Sequence, residues 1–355
     1  MGKSKCFYMS LRTQYENLGD YLIAQATIDL LSKLADVVID IRGVPRKFID
    51  LFTFPKNVKL VRKNFFITVL YNRNIDWFYI VKPGGYGETK TFQNKIRLIT
   101  KMTYFFITKK LFGIEVFRMP HSFTGNLNLI DKYYQNVFEL NLCRDWTTYN
   151  LYKENAVKNL YMISDLAMFY YNKKSKFLFL EDKKQLDIVI SLRYDRLNRE
   201  PELASKLANI LVNSDETIVY LSQVTFDRKL NQTEAINYNL RYVDYKIDIM
   251  SFENILKQYK SAKYVISNRL HVLILAMING TVPIPLLDIR LDKKLIGSFE
   301  LLNILWIDKD ELNLEEKVFK IAKYNQNSLL HLQQHATILE KQFMDVIMNA
   351  IKKDL

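Results

Sequence analysis

Short apolar runs alternate along most of the chain with segments in which apolar residues recur every three or four positions. The short runs predict buried strands, and the three-to-four spacing predicts helices that pack one face on a core. Alternation of the two predicts α/β layers. In the first half, the predicted strands are 5–11, 37–41, 77–81, 114–118 and 138–143. One predicted helix covers 20–34, and another follows Arg144-Asp145 and runs to about Lys153.

A second series of the same kind follows a lysine-rich stretch at 172–184, which we interpret as a linker. Its predicted helices are 202–213, 252–259 and 270–278, and its predicted strands are 187–192, 217–221, 263–267 and 282–287. The tail, from about Leu314 to Leu355, is helical in pattern throughout. The sequence therefore predicts two Rossmann-like domains, 1–172 and 185–312, and a helical tail, 313–355, that packs back on the first domain.

Composition narrows the class of protein. Hydrophobic residues make up 49% of the 355 residues, enough for two cores. The two cysteines, Cys6 and Cys143, exclude a disulfide framework and a cysteine-based metal site, and no metal or cofactor is expected. The start of the chain lacks the apolar core of a signal peptide, and no apolar run has the length of a membrane span. We therefore expect a cytoplasmic protein, either soluble or bound peripherally to the inner face of the plasma membrane.

The net charge of +13 points to an anionic partner. Nucleic acid, an anionic membrane surface and phosphorylated substrates all fit, but no nucleic-acid-binding motif is present, so the last two are favoured. Residues 97–112 mix aromatic with basic side chains. That mixture is typical of a helix lying in a membrane interface, although a core helix with a basic outer face fits the pattern better.

The strongest candidate for chemistry is the tetrad Asn268-Arg269-Leu270-His271. It joins a predicted strand to a predicted helix, and anionic ligands bind at such junctions because the helix N-terminus favours negative charge. The chain has four histidines, so one that follows an arginine at this place is notable.

Weaker candidates lie at the ends of other predicted strands. Gly19 lets the backbone approach a ligand, with Asn17 and Asp20 beside it, although Asp20 also fits a plain helix cap. Gly84 and Gly85 lie in a turn that could wrap a substrate, but they form neither a P-loop nor a dinucleotide motif. The others are a histidine and a serine in a loop, an arginine near Asp195 and a lysine in a late loop: His121, Ser122, Arg193 and Lys294. An ion pair, a solvated loop or a structural histidine is the alternative for each of these.

Taken in order, these segments resemble the polysaccharide pyruvyl transferase family. Its Asn-x-Gly-Asp motif is matched at 17–20, its glycine-rich turn at 84–85, and its Pro-Gln-Ser, with one change, at 120–122. Its Arg-Asp pair, later Ser or Thr, and Asp before small apolar residues resemble Arg144, Asp145, Thr148 and Asp165. Its Arg-Leu-His signature, followed by an apolar helix, Gly-x-Pro and a lysine loop, is matched at 269–271, 280–283 and 293–294. The chain departs from the family at His121, Asn268 and Val272, where Gln, Asp, and Gly or Ala are usual.

The resemblance implies a two-domain fold like that of GT-B glycosyltransferases, with the ligand in the interdomain cleft. It also implies transfer of pyruvate from phosphoenolpyruvate to a sugar diol of a glycan or its lipid-linked precursor. The product is a cyclic ketal, and phosphate is released. We expect His271 to be the acid–base residue, since imidazole titrates near neutral pH.

The other roles follow from the same resemblance. Arg269, Arg193 and Lys294 would hold the donor, and Asp20 and Asn17 would face the acceptor hydroxyls, with Asp20 as a second base. The remaining residues expected to contact substrate are Gly19, Gly84, Gly85, His121, Ser122 and Asn268. Two other functions stay open: a GT-B glycosyltransferase that uses a nucleotide sugar, and a basic, non-catalytic protein that binds a membrane or nucleic acid.

Overall fold

The computed structural model describes residues 4–72, 74–170, 186–193, 207, 217–311 and 314–352. It divides into two compact units. The first contains 1–13, 23–166 and 339–355, and the second contains 14–22 and 167–338. The predicted linker at 172–184 and the predicted helix at 202–213 lie outside the described residues.

The first unit is built on one parallel sheet in the order β3-β2-β1-β4-β6-β7-β8, with β5 paired to β6. Buried apolar side chains from the strands form its core together with those from the flanking helices. The strands are β1 Ser4–Ser10, β2 Asp36–Asp40, β3 Val58–Val61, β4 Ile75–Val81, β5 Gly84–Gly87, β6 Glu115–Thr124, β7 Leu140–Cys143 and β8 Leu160–Met162. The helices are α1 Leu18–Leu31, α2 Arg46–Ile49, α3 Phe65–Leu70, α4 Phe92–Phe112, α5 Leu129–Gln135 and α6 Trp146–Glu154.

The second unit holds a parallel sheet in the order β11-β10-β9-β12-β13-β14. Counted from its first strand this is 3-2-1-4-5-6, the strand order of a doubly wound dinucleotide-type fold. The strands are β9 Leu186–Ser191, β10 Ile218–Ser222, β11 Arg241–Asp244, β12 Ala262–Ser267, β13 Val282–Leu287 and β14 Ile307–Asp308. The helices are α7 Arg228–Asn237, α8 Ile249–Ser261, α9 Leu270–Ile278, α10 Lys293–Leu301 and α11 Leu314–Lys352.

Two segments predicted as a turn and a loop are strands. Gly84–Gly87 pairs in parallel with β6, so that Gly84 faces His121 and Gly85 faces Ser122. The strand β6 runs on through Pro120 and His121 to Thr124, with a register irregularity between Arg118 and His121. Glycines and a proline weaken strand patterns in a sequence, whereas a neighbouring strand supplies the pairing that fixes them here.

Two helices contribute residues to both units. Leu18–Leu22 of α1 groups with the second unit and the rest with the first. We predicted residues 14–22 as part of the first domain. The end of α11 groups with the first unit, where Glu340 forms an ion pair with Lys33 and the Ile351 carbonyl accepts a hydrogen bond from Lys5 Nζ. None of the described helices is both long and apolar enough to cross a bilayer.

Candidate functional site

The topological switch point of the second sheet lies between β9 and β12, the strands at which the order reverses. Ligands of doubly wound folds bind outside the carboxyl ends of the strands at such a point. Here β9 leads directly into Arg193 and β12 leads directly into Asn268 and Arg269. The topology therefore brings three of the predicted residues to one edge of the sheet.

Arg269 is held by a carboxylate that the sequence analysis did not identify. Its Nε and Nη2 both donate to Asp227, the second at 2.6 Å. The Asp227 side chain is fully buried and that of Arg269 is 18% exposed. A fork-to-fork pair of this kind fixes the plane of the guanidinium as well as its position. Nη1 lies outside this pair, so it is the part of the fork that a ligand could engage.

Buried polar side chains lock the loops that carry these groups. Asn268 Oδ1 accepts a hydrogen bond of 2.8 Å from the backbone N–H of Arg193. Ser267 Oγ donates to the Ser191 carbonyl at 2.5 Å and accepts from the Arg269 N–H at 3.0 Å. The side chain of Asn268, expected to contact substrate, thus joins the ends of β9 and β12.

Asn231, in the first turn of α7, ties the segment that follows β10 to the same edge of the sheet. Its amide bonds both the N–H and the carbonyl of Leu192, at 2.9 and 3.0 Å, and also reaches the Asp227 carbonyl at 3.1 Å. The chain that carries Asp227 is therefore fastened to the chain that leads into Arg193. Neighbouring loops held in this way keep the Arg269–Asp227 pair in one place.

His271 lies in the first turn of α9 and packs directly on the backbone of Gly19. A Cβ added at Gly19 would lie 2.6 Å from Cγ of the imidazole and 2.8 Å from its Cβ. Separations below 3.0 Å essentially never occur at real Cβ atoms. The glycine is thus required for the close approach of His271, whereas we had predicted the approach of a ligand.

The segment before α1 is shaped by its own side chains. Asn17, rather than Asp20, caps the helix, because Asn17 Oδ1 accepts from the Gly19 N–H at 3.0 Å. Asp20 lies in the first helical turn, where its oxygens accept from Asn17 Nδ2 at 3.0 Å and from the Gln14 N–H at 3.2 Å. Asn17 also forms an antiparallel bridge with Val224. The Asn-x-Gly-Asp motif therefore belongs to the same unit as His271.

Gly19→Ala is expected to reduce the activity of the protein about 10²-fold, because displacement of a reacting group by ~1 Å can have an effect of that size. Gly87→Ala is the matched control, since the nearest atom to its added Cβ is 3.9 Å away. Turnover and thermal unfolding of both variants should be measured. Wild-type turnover in Gly19→Ala would show that the position of the imidazole is not critical.

A second polar cluster lies in the first unit and collects the middle motifs. Ser122 Oγ donates to Asp145 Oδ2 at 2.5 Å and accepts from Arg144 Nε at 2.7 Å. Arg144 pairs with Asp165 at 2.7 Å, and Asp145 accepts from the Thr148 N–H at 2.7 Å. The Ser122, Asp145 and Thr148 side chains are buried. These residues therefore join β6, β7 and α6 from within the unit.

His121 is enclosed in the protein rather than exposed to substrate. Its side chain is 0% exposed, with Nδ1 3.3 Å from the Met119 carbonyl and Nε2 3.0 Å from the Tyr152 hydroxyl. Burial and the neighbouring Arg118 guanidinium hold the pKa of His121 well below its usual value. The predicted contact of His121 with substrate does not fit this placement, and the neutral ring packs like a core residue.

The remaining predicted residues lie at other strand ends. Gly84 has a φ of 144°, a conformation that side chains rarely adopt, and Gly85 is exposed beside it in β5. Lys294 lies in the first turn of α10, which follows β13, and it is half-buried. No group of three or more His, Cys, Asp or Glu residues in the described part of the chain is placed to hold a metal ion.

Asp227 and Asn231 are the site residues that sequence reasoning missed. Both follow the strand at 218–222, Asp227 just before helix α7 and Asn231 in its first turn, so their place after a strand end is a signal that was present in the sequence. Their partners, Arg269 and Leu192, are distant in the chain. Only the order of the strands brings these residues together.

Comparisons with known proteins agree with this architecture. Solved structures that resemble the chain include the following three, whose identities are low enough that the likeness shows the fold alone. A Listeria monocytogenes protein named as a UDP-N-acetylglucosamine 2-epimerase has a TM-score of 0.62 and 10% identity, covering 100% of this chain and 98% of that one. Anabaena HepE, in complex with UDP and glucose, has a TM-score of 0.56 and 12% identity, covering 98% and 99%. A glycosyltransferase from Rickettsia africae has a TM-score of 0.54 and 11% identity, covering 99% and 100%.

These neighbours confirm the predicted α/β fold with two GT-B-like domains. No curated protein matches the sequence. A family model described as polysaccharide pyruvyl transferase matches residues 17–287, which include Gly19, Asp227, Arg269 and His271. The chain therefore belongs to the polysaccharide pyruvyl transferase family.

Proposed function

We propose that this protein transfers pyruvate from phosphoenolpyruvate to two hydroxyls of one sugar in a polysaccharide or its lipid-linked precursor. The observation that carries the proposal is the placement of His271. Its imidazole is seated on Gly19 at the first turn of α9, two residues after an arginine that a buried carboxylate holds in place. Membership of the family supplies the reaction class, a transferase that acts on polysaccharide.

The donor carries a phosphate and a carboxylate. The edge of the second sheet at its topological switch point offers groups suited to both. The Nη1 side of Arg269 and the side chain of Arg193 supply positive charge, with Lys294 as a third cation. The N-terminus of α9 has no side-chain cap, so its first-turn N–H groups can also face an anion.

In the proposed reaction, His271 delivers a proton to the methylene carbon of phosphoenolpyruvate. The C2 carbon then accepts one sugar hydroxyl, and the bond from C2 to the phosphate oxygen breaks. A second hydroxyl of the same sugar attacks C2 and closes the ketal ring. The proton of one sugar hydroxyl returns to His271 and replaces the proton that it gave to carbon. The proton of the other hydroxyl leaves on the released phosphate.

Asp20 and Asn17 are the groups that we assign to the acceptor hydroxyls. The two Asp20 oxygens accept hydrogen bonds from Asn17 and Gln14, which orient the carboxylate. A carboxylate oriented in this way is suited to receive a hydroxyl proton. Ser122 and His121 are assigned instead to support of β5 and β6, because both side chains are buried.

A direct test incubates the protein with phosphoenolpyruvate and a panel of synthetic and lipid-linked glycosides. Phosphate release and a carboxyethylidene adduct detected by mass spectrometry are the expected result. A parallel reaction supplies UDP-sugars in place of phosphoenolpyruvate. Transfer of sugar from a UDP-sugar, with no adduct from phosphoenolpyruvate, would show a glycosyltransferase instead.

Arg193→Lys is expected to weaken donor binding about tenfold, because lysine keeps the charge but lacks the planar fork that binds phosphate or carboxylate through two hydrogen bonds. Titration with phosphoenolpyruvate by calorimetry measures the affinity directly. Lys257→Arg, at an exposed position in the C-terminal half of α8, is the control for a change of cation elsewhere in the second unit. Equal donor affinity in wild type and Arg193→Lys would remove Arg193 from the donor site.

A further inference from the structure

Helix α4 has two apolar faces, and the core of the first unit explains one of them. Its inner face buries Phe105 and Thr108 and packs Leu98 and Met102 against Phe138 and other residues of the core. A helix on the surface of a globular protein needs one such stripe. The apolar residues on the outer face therefore require a separate explanation.

Four large apolar residues share the outer face of α4, where only Thr103 comes between Ile99 and Phe106. Phe92, Ile96, Ile99 and Phe106 follow the three-to-four spacing that places residues on one side of a helix. Their exposed fractions are 76%, 48%, 48% and 59%, and Leu111, in the last turn, is 72% exposed. Single exposed apolar residues are ordinary, whereas several large ones exposed side by side mark an interaction site.

The neighbouring helix α3 packs on the side of α4 and exposes apolar side chains of its own. Phe66 contacts the rings of Tyr104 and Phe112 of α4, with centroids 5.0 and 5.7 Å apart. Leu70 at the end of α3 is 46% exposed, and Tyr71 after it is 77% exposed. We call the exposed side chains of these two helices and Tyr71 the α3–α4 surface.

Charge on α4 indicates the kind of partner. The helix contains no acidic residue and five basic ones, Lys95, Arg97, Lys101, Lys109 and Lys110. Lys109 pairs with Glu139, while Lys95 and Lys110 lie three or four positions from residues of the apolar stripe, and Arg97 and Lys101 are exposed elsewhere on the helix. Aromatic and aliphatic residues bordered by basic residues are suited to the boundary between lipid headgroups and acyl chains, where anionic lipids attract the cations.

We propose that the α3–α4 surface docks this protein on an anionic lipid membrane, with the outer face of α4 lying in the interface. The inference does not depend on the proposed reaction, because it rests on α3 and α4 alone. It deepens the proposed function by naming the surface at which a lipid-linked acceptor would be met. Lipid binding and pyruvyl transfer can be measured separately, so one can fail without the other.

The test is flotation of the full chain with vesicles of phosphatidylcholine, alone or mixed with phosphatidylglycerol. We expect wild type to float with the mixed vesicles and to be released as salt is raised, because screening shortens the Debye length from about 8 Å at 0.15 M to about 3 Å at 1 M. Equal flotation with both vesicles, or none with either, would overturn the proposal.

Two double variants distinguish binding through the α3–α4 surface from nonspecific hydrophobic binding to lipid. Ile99→Gln with Phe106→Gln removes two exposed side chains of the stripe and should lower the partition coefficient about tenfold or more, given the free energy of burying such side chains. Ile236→Gln with Ile338→Gln, which removes exposed isoleucines of α7 and α11, should bind as wild type. Loss of flotation in both, or in neither, would contradict the assignment of the surface.

A measurement of self-association tests whether a second copy of the chain, rather than a membrane, covers the α3–α4 surface. Light scattering without lipid should give the same mass for wild type and for the Ile99→Gln, Phe106→Gln variant. A wild-type dimer that this variant converts to a monomer would show that the α3–α4 surface is a chain–chain interface and would overturn the membrane proposal.

Discussion

Replacement of His271 with glutamine is expected to lower turnover by roughly 10²–10⁴-fold, the usual contribution of a general acid or base. Glutamine approximates the size of the ring and can still form hydrogen bonds, but it cannot donate a proton to carbon. Donor affinity should change little, since the cations that hold the donor remain. The measurement is phosphate release at saturating phosphoenolpyruvate together with calorimetric titration of the donor.

His335→Gln is the matched control for that experiment. It makes the same substitution at an exposed position of α11 and should leave turnover unchanged. If His271→Gln turned over at the wild-type rate, another group would have to protonate the donor. Loss of donor binding together with turnover would instead indicate that the ring contributes to binding.

Replacement of Asp227 with alanine is expected to cost about 3–5 kcal/mol of unfolding free energy, the range for removing one partner of a buried ion pair. The 18% exposure of the Arg269 side chain places the effect toward the lower end of that range. The variant should also bind phosphoenolpyruvate less tightly, because the guanidinium loses the carboxylate that orients it. Urea unfolding and donor titration measure the two effects.

A second variant distinguishes positioning from stability. Asp227→Ala combined with Arg269→Met removes both charges and should recover part of the unfolding free energy, while donor binding stays weak. Asp244→Ala breaks the more exposed pair with Arg228 and should cost no more than about 1 kcal/mol. Donor affinity that recovered along with stability would show that Arg269 has no part in donor binding.

Four of the six described strands of the second unit, β9, β10, β12 and β13, were predictable because they are short apolar runs, whereas β11, β14 and the helices α7 and α10 were not predicted. The helix at 270–278 and the strand at 282–287 were predicted with the bounds that the structure has. The junction at 268–271 was recognisable for the same reason, since a change of hydrophobic period marks the end of a strand and the start of a helix.

Long-range contacts limited what the sequence could show about the site. The Arg269–Asp227 pair depends on β12 and β10 both flanking β9, and strand order is not written in local patterns. The approach of His271 to Gly19 joins residues far apart in the chain, so the glycine could be predicted to need space but not which group fills it. His121 appeared to be a loop residue because Pro120 weakens the strand pattern, yet pairing with β5 carries the strand through it.

The membership of residues 14–22 bears on how this family can be divided and recombined. Those residues group with a unit whose remaining residues begin at 167. A fragment that starts at 167 would therefore lack the backbone on which His271 rests. Chimaeras that exchange the second unit between family members should carry the segment 14–22 from the same parent, and natural recombination within one gene would have to preserve the match between that segment and the Arg-Leu-His helix.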